Sequence, residues 1–425
     1  MQLHSGGLLL RGGRVICPES GLDARLDLRV ADGRVVELGV DLAPGSDRLI
    51  DCVDKAVLPG FVDLVADLAD PGATWREDLR TGSLAAAAGG FTTVLASPLT
   101  DPVVDSGAVA AGVVHATQGL PGARVLRAGA VSVGLKGQDL AEMGSMLEEG
   151  CVALSDGGLA MADAAVLRNA LEYARPFGAP VILRPGLPSL ELRGCMHEGQ
   201  ISLEIGLRGV PAASEEVGMH LILALVRATG ARVHLSHVTT ARALSLLAQA
   251  RAEGLPVTGS APARNLLLTD AWVRDHGYDP AGRLLPPLRP EADRLALVQA
   301  VAAGTLDALC SDHQPWTRVE KEVEFERATP GATGLETAFS AAFTALDGDL
   351  VAVARALSAG PAAVLGRKAR VAVGEVADLV VVDPAATWTV GAPRWSRSDN
   401  EPLRGRALRG RVDHTLVDGR IAFGG

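Results

Sequence analysis

Aromatic residues are scarce in this chain: Phe, Trp and Tyr make up 3% of its 425 residues. Stacking platforms for single-stranded nucleic acid need rings at intervals, so the composition argues against that class. Basic charge is short as well. There are 40 Lys and Arg against 50 Asp and Glu, a net −10. Phosphate backbones and anionic lipid surfaces are held by basic patches, so no nucleic-acid partner and no membrane-surface anchor is expected. No uncharged apolar run reaches the roughly 18 residues of a membrane span. The short apolar run Gly6–Leu10 lacks the longer apolar core and cleavage pattern of a signal peptide. Cysteine pairing is absent too. Cys17, Cys52, Cys151, Cys195 and Cys310 are scattered, odd in number and never spaced as Cys-x-x-Cys. They read as buried free thiols of a reducing compartment, which makes a cytoplasmic location the expectation.

What is abundant is apolar side chain, 48% of the residues. A chain this long buries a large core unaided. At about 150 residues per domain it allows two or three domains, or one large barrel with a small module. Residues 1–57 read as short strands and turns: Leu8–Arg11 before Gly12-Gly13, Arg14–Cys17, and Asp27–Val30 and Arg34–Leu38 around Asp32-Gly33. Asp-Gly between alternating apolar segments is a hairpin signal. Residues 366–425 look alike, with strand-like Val371–Val373, Ala377–Asp383 and a hairpin around Asp418-Gly419. The two β-rich ends are expected to pair into one small β-sandwich module.

Residues 58–365 alternate. Apolar strand candidates are Thr93–Ala96, Val125–Ala128, Val152–Ser155, Pro180–Leu183, Arg232–Leu235 and Asp307–Cys310. Helix-like stretches lie between them: Thr81–Ala88, Ala160–Ala174, Ser214–Thr229, Ala241–Ala252 and Glu291–Ala303. Such alternation predicts an α/β fold with a parallel sheet, and the repeat number favours a closed (β/α)8 barrel of the TIM type. Chemistry in these barrels sits where strands end, which singles out Asp63 and the residues after it, Ser97, Asp156, Arg184, His237 and Asp312.

One segment is unusually specific: Leu58-Pro59-Gly60-Phe61-Val62-Asp63-Leu64-Val65-Ala66-Asp67-Leu68-Ala69-Asp70-Pro71-Gly72. Further along come Gly134-Leu135-Lys136-Gly137, His197-Glu198-Gly199, His237-Val238-Thr239-Thr240, Pro286-Pro287-Leu288-Arg289, Ser311-Asp312-His313-Gln314-Pro315 and Gly331-Ala332-Thr333-Gly334-Leu335-Glu336-Thr337. Together, collinear and over essentially the whole chain, these resemble the dihydroorotase branch of the amidohydrolase superfamily. The resemblance implies the barrel, a β-module from both termini, and a cyclic-amide hydrolase using one or two zinc ions. Its ligands would be a His-x-His pair on the first strand, where alternation aims both imidazoles at one ion, then a carboxylate, later histidines and a catalytic Asp.

The pattern fails where that chemistry is strictest. Val65 and Asp67 stand at the His-x-His positions, and Arg184 stands at a third ligand position. Arg264-Asn265 replaces a histidine pair, and Trp316 replaces another histidine. The substrate-binding positions are Ala69, Leu99 and Leu285 in place of an arginine and two asparagines. Asp156, His237, Asp312 and His313 survive, Asp312 at the position of the catalytic base. An ion here would have few protein ligands, and Arg184 would repel it. Arg184 is expected to pair with Asp312, Asp156 or Asp67. His237 and His313 are expected to be satisfied by packing and hydrogen bonds. Lys136 suits a loop better than a carbamylated ligand, and Asp63 suits a structural role.

Two readings follow. In the first, the chain resembles the non-catalytic dihydroorotase-like homologues that assemble with the catalytic chain of aspartate transcarbamoylase in pyrimidine biosynthesis. It then needs no metal cofactor and works in an oligomer, with itself or with that partner. In the second it is a divergent, active cyclic amidohydrolase, converting dihydroorotate and water to N-carbamoyl-aspartate. One zinc or a harder ion would then be held by Asp67, Asp156, His237 and Asp312.

Overall fold

A computed structural model describes residues 7–191, 194–392 and 395–424. Eight short strands form a parallel sheet: β1 Phe61–Ala66, β2 Phe91–Ala96, β3 Arg124–Ala130, β4 Ala153–Ser155, β5 Val181–Leu183, β6 Val233–Leu235, β7 Val257–Pro262 and β8 Ala308–Cys310. Their order in the sheet is their order in the chain. The first and last strands meet past their ends, where Ala66 bridges His313 in parallel and the Asp67 amide donates to the His313 carbonyl at 2.7 Å. The sheet is thereby a (β/α)8 barrel.

Alternation along the strands sorts the core into two layers. Leu95, Ala128, Ala153 and Ile182, from four neighbouring strands, form a small inner cluster. Their strand neighbours Val94, Val125, Leu154, Val181 and Leu183 face outward and join the large cluster beneath the helices. This is the packed layering expected of a small parallel barrel. The helices begin where the sequence supplies caps. Asp78 and Thr81 form a reciprocal capping box at Leu79–Ala88, and the Thr240 hydroxyl accepts from the Ala243 amide at Ala241–Ala252. Helix Ala164–Ala174 begins later than its apolar pattern suggests, because Asp163 Oδ1 accepts from the Ala165 and Val166 amides at 2.8 and 3.0 Å.

The terminal segments share one eight-stranded sheet. Leu8–Cys17, Leu22–Ala31, Arg34–Gly39, Arg48–Asp51 and Ala56–Pro59 come from one end, and Leu379–Thr389, Ala407–Val417 and Arg420–Phe423 from the other. Ala56–Pro59 and Leu379–Val382 pair antiparallel and join the two halves. Asp32-Gly33 and Asp418-Gly419 make the expected tight turns, with φ of 49° and 76° in the first and 49° and 71° in the second.

Three local expectations are corrected. Gly12-Gly13 is a bulge inside one continuous strand, where the register shifts and the Gly12 amide donates to Asp27 Oδ1 at 2.7 Å. Val371–Val373 is a bend rather than a strand. Val257–Pro262, not singled out from its sequence, is β7: its residues Gly259, Ser260, Ala261 and Pro262 weaken the apolar signal, yet all four are buried. No helix among the described residues is long and apolar enough to cross a membrane.

Candidate functional site

The surviving polar residues lie at the C-terminal ends of the barrel strands, and one network dominates. Asp312 follows β8 and is 4% exposed. Its Oδ1 meets His237 Nε2 at 2.9 Å and the Gln314 side-chain amide at 2.6 Å. Its Oδ2 accepts from Arg264 Nη1 at 2.8 Å. Burial alone would raise this carboxyl, but His237 and Arg264 hold it below the usual carboxylate range. His237, after β6, uses its other nitrogen on Ser236 Oγ at 3.1 Å. The backbone of both residues is left-handed, with φ of 56° at His237 and 46° at Asp312. Non-glycine residues hold that conformation only when their surroundings enforce it.

Arg264, in the turn after β7, is 3% exposed. Besides Asp312 Oδ2, it donates from Nη2 to the carbonyls of Ser311 and Asp312 at 2.8 Å, Thr333 at 3.0 Å and Ala332 at 3.3 Å. A fixed cation with a ring of oxygens thus neutralises Asp312. The sequence shows Arg264 as a lost histidine. That its guanidinium meets Asp312 is visible only once β7 and β8 lie side by side.

The expectation for Arg184 is corrected. Its guanidinium pairs with none of Asp312, Asp156 and Asp67. It grips Glu191 through both nitrogens, at 2.8 and 2.7 Å, and donates from Nε to the Gly158 carbonyl at 2.5 Å. Glu191, on the short helix Pro188–Glu191, also accepts from Ser214 Oγ at 2.9 Å. Only the Arg184 backbone reaches the mouth: its amide donates to Asp156 Oδ2 at 2.9 Å, while Oδ1 accepts from the Gly158 amide at 2.7 Å. Asp156 is buried, and burial raises its carboxyl despite those two donors.

Asp63 joins the first and last strands. It accepts from the Ser311 amide at 3.0 Å and from the Ser311 hydroxyl, tying β1 to β8. It also caps the Val65 amide where the β1 register shifts. His313 is satisfied on both nitrogens, by Glu77 Oε2 and the Gly334 amide, each at 3.3 Å. Lys136 is exposed in a turn, so it lies away from the strand ends. Asp67 differs from all of these. Its Oδ1 is buried without a hydrogen-bond partner, and burial pushes its carboxyl up to about 7 against the opposing pull of His313, Arg76 and Arg127.

Val65, Asp67, Leu99, Leu285, His237 and Gln314 all line one cavity of about 340 Å³ in the barrel mouth. Ala69 is buried nearby in a left-handed conformation, with φ 51°. The cavity walls are mostly apolar, with Leu95, Leu159 and Ile182 completing them.

These donors do not suit a zinc ion. Val65 offers no ligand atom. Both Asp156 oxygens, both Asp312 oxygens and both His237 nitrogens already have partners, and a guanidinium lies against Asp312. Among the described residues, no three His, Cys, Asp or Glu side chains are grouped to hold a metal. A site that binds zinc presents at least three free donors around one point.

Comparison with known proteins agrees with the architecture. A family profile described as dihydro-orotase-like matches residues 54–243. The chain is 44% identical over 420 residues to a protein named dihydroorotase from Anaeromyxobacter dehalogenans strain 2CP-1, covering 97% of each. It is 40% identical over 422 residues to one from Citrifermentans bemidjiense, covering 98% of this chain and 99% of that one. Its fold superposes on the L-hydantoinase of Arthrobacter aurescens with a TM-score of 0.87, at 22% identity, covering 97% of this chain and 95% of the other. Full-length identity of this order, together with the barrel and the terminal sheet, places the chain in the dihydroorotase family.

Proposed function

We propose that this chain is a dihydroorotase-family barrel in which zinc-dependent hydrolysis has been replaced by structure, and that it serves pyrimidine biosynthesis as a partner of aspartate transcarbamoylase. The observation that carries the reading is Arg264 seated on Asp312, a fixed cation whose Nη1 lies 2.8 Å from the carboxylate that would act as base. The substrate side points the same way, since Ala69, Leu99 and Leu285 supply no cation or amide for a substrate carboxylate.

A second reading has its own support. Relatives 40–44% identical over the full chain are named dihydroorotase, which favours an active hydrolase. In that case Asp67, with its unpartnered oxygen, is the residue around which an unfamiliar donor set would assemble.

The partner is tested by co-expressing the chain with aspartate transcarbamoylase. A shared, larger peak on size exclusion at micromolar concentration supports the scaffold reading, and separate elution contradicts it. The ligand losses are tested by restoring histidines. The V65H/D67H/R184H variant is expected to gain at best weak zinc binding and little dihydroorotate turnover. Arg264 still blocks Asp312, and the substrate positions are still apolar. Robust turnover would show that neither matters.

A further inference from the structure

The cavity at the barrel mouth is emptied of one chemistry and lined for another. Its walls are Val65, Leu95, Leu99, Leu159, Ile182 and Leu285. At about 340 Å³ it lies within the range of small-molecule pockets, which pair apolar walls with a few placed polar groups. The polar groups here are largely spoken for. His237 is bound to Ser236 and Asp312, and the Gln314 amide is bound to Asp312. Arg76, the one arginine among the described residues of the wall, stacks 3.9 Å from the Trp316 ring centroid and is paired with Glu320. Among the described lining residues an anionic ligand would therefore meet no free cation, at a high desolvation cost. Two atoms of lining residues are exceptions: the buried Asp67 Oδ1 accepts from no group among the described residues, and Trp316 Nε1 donates to none.

We propose that this cavity binds a small, uncharged, mainly apolar N–H heterocycle, whose single N–H donates to Asp67. This deepens the reading that the barrel mouth has lost its hydrolytic donors, and it rests on that reading. An N–H donor satisfies the orphaned acceptor, and an apolar ring matches the leucine-rich walls. The carboxylate of dihydroorotate matches neither feature.

The test is isothermal titration of the full chain with indole, with benzofuran (the same shape, with oxygen in place of N–H) and with dihydroorotate. Indole is expected to bind saturably at one site. Benzofuran is expected to bind about 5–10-fold more weakly, the usual worth of one hydrogen bond. Dihydroorotate is expected not to bind. The D67L variant should bind indole and benzofuran with equal affinity, and L285W, which fills the cavity, should bind neither. Indole and benzofuran binding equally to the unaltered chain, or indole binding unaffected in L285W, would overturn the proposal, as would dihydroorotate binding more tightly than indole. Failure of the underlying reading is distinguishable, because it appears as dihydroorotate turnover. A folded chain that neither turns over dihydroorotate nor binds indole contradicts the ligand proposal alone.

Discussion

The R264A variant is expected to lose about 3–5 kcal/mol of folding stability, the typical cost of stripping one partner from a buried ion pair. The reason is the state in which Asp312 is left. Its carboxylate is buried and ionised between Arg264 and His237. Without the guanidinium it keeps only the imidazole and the Gln314 amide, and four backbone carbonyls lose their shared donor. Chemical denaturation reads this as a lower midpoint with an unchanged slope. R264K separates charge from shape: one ammonium cannot reproduce the guanidinium's fork of donors, so an intermediate loss is expected. The R264L/D312L double variant removes both charges and is expected to recover much of the loss, because replacing a whole buried pair is often neutral. An R264A protein as stable as the parent would mean that the pair does not organise the barrel mouth.

The second large effect is a dependence on pH set by Asp67. Burial raises its carboxyl to about 7, against about 3.9 in the unfolded chain. Between those values the folded protein holds the proton and the unfolded chain has released it. Stability from this group is therefore complete at low pH and is lost as pH rises from about 4 to about 7. The charges acting on it are His313, Arg76 and Arg127, which favour ionisation, and Asp312, which opposes it. None of them forms a hydrogen bond to its buried Oδ1. D67N removes the titration while keeping the shape. It is expected to be about 2–4 kcal/mol more stable than the parent at pH 8 and about equal to it at about pH 3.5, below the unfolded value. Asp63, raised to about 6 by burial, contributes the same sign in both proteins. The difference between parent and variant therefore isolates Asp67. A difference independent of pH would show that Asp67 is ionised throughout.

The architecture was legible in the sequence because its signals are local. Helices Ala241–Ala252 and Glu291–Ala303 have the bounds their apolar pattern predicts. Four of the six apolar strand candidates exceed the strand observed there by one residue, while Thr93–Ala96 and Val125–Ala128 lie within β2 and β3. β7 gives no such signal, because its buried Gly259, Ser260 and Pro262 carry no strong strand propensity. The departures from the family's histidine pattern were equally legible, since Val65 and Arg184 stand at fixed spacings. The side chains that meet Asp312 were not. Long side chains place their charge far from their own Cα, so a position in the chain does not name its partner. Arg184 turned aside to Glu191, while Arg264, counted only as a missing histidine, took the carboxylate. The cavity around Asp67 depends on residues from β1 to β5 and from loops as distant as Leu285 and Pro330, a juxtaposition no short motif encodes.

On the proposed reading, Arg264 and the substituted donors take the barrel out of zinc chemistry. The most direct measurement is dihydroorotate hydrolysis by the purified full-length chain with excess Zn²⁺, run beside an active dihydroorotase. Turnover indistinguishable from the protein-free rate is expected, with no stoichiometric zinc retained after desalting. Turnover that rises with added zinc and is abolished by D312N would contradict it, and would mean that Asp67, Asp156, His237 and Asp312 rearrange around an ion despite the arginine between them.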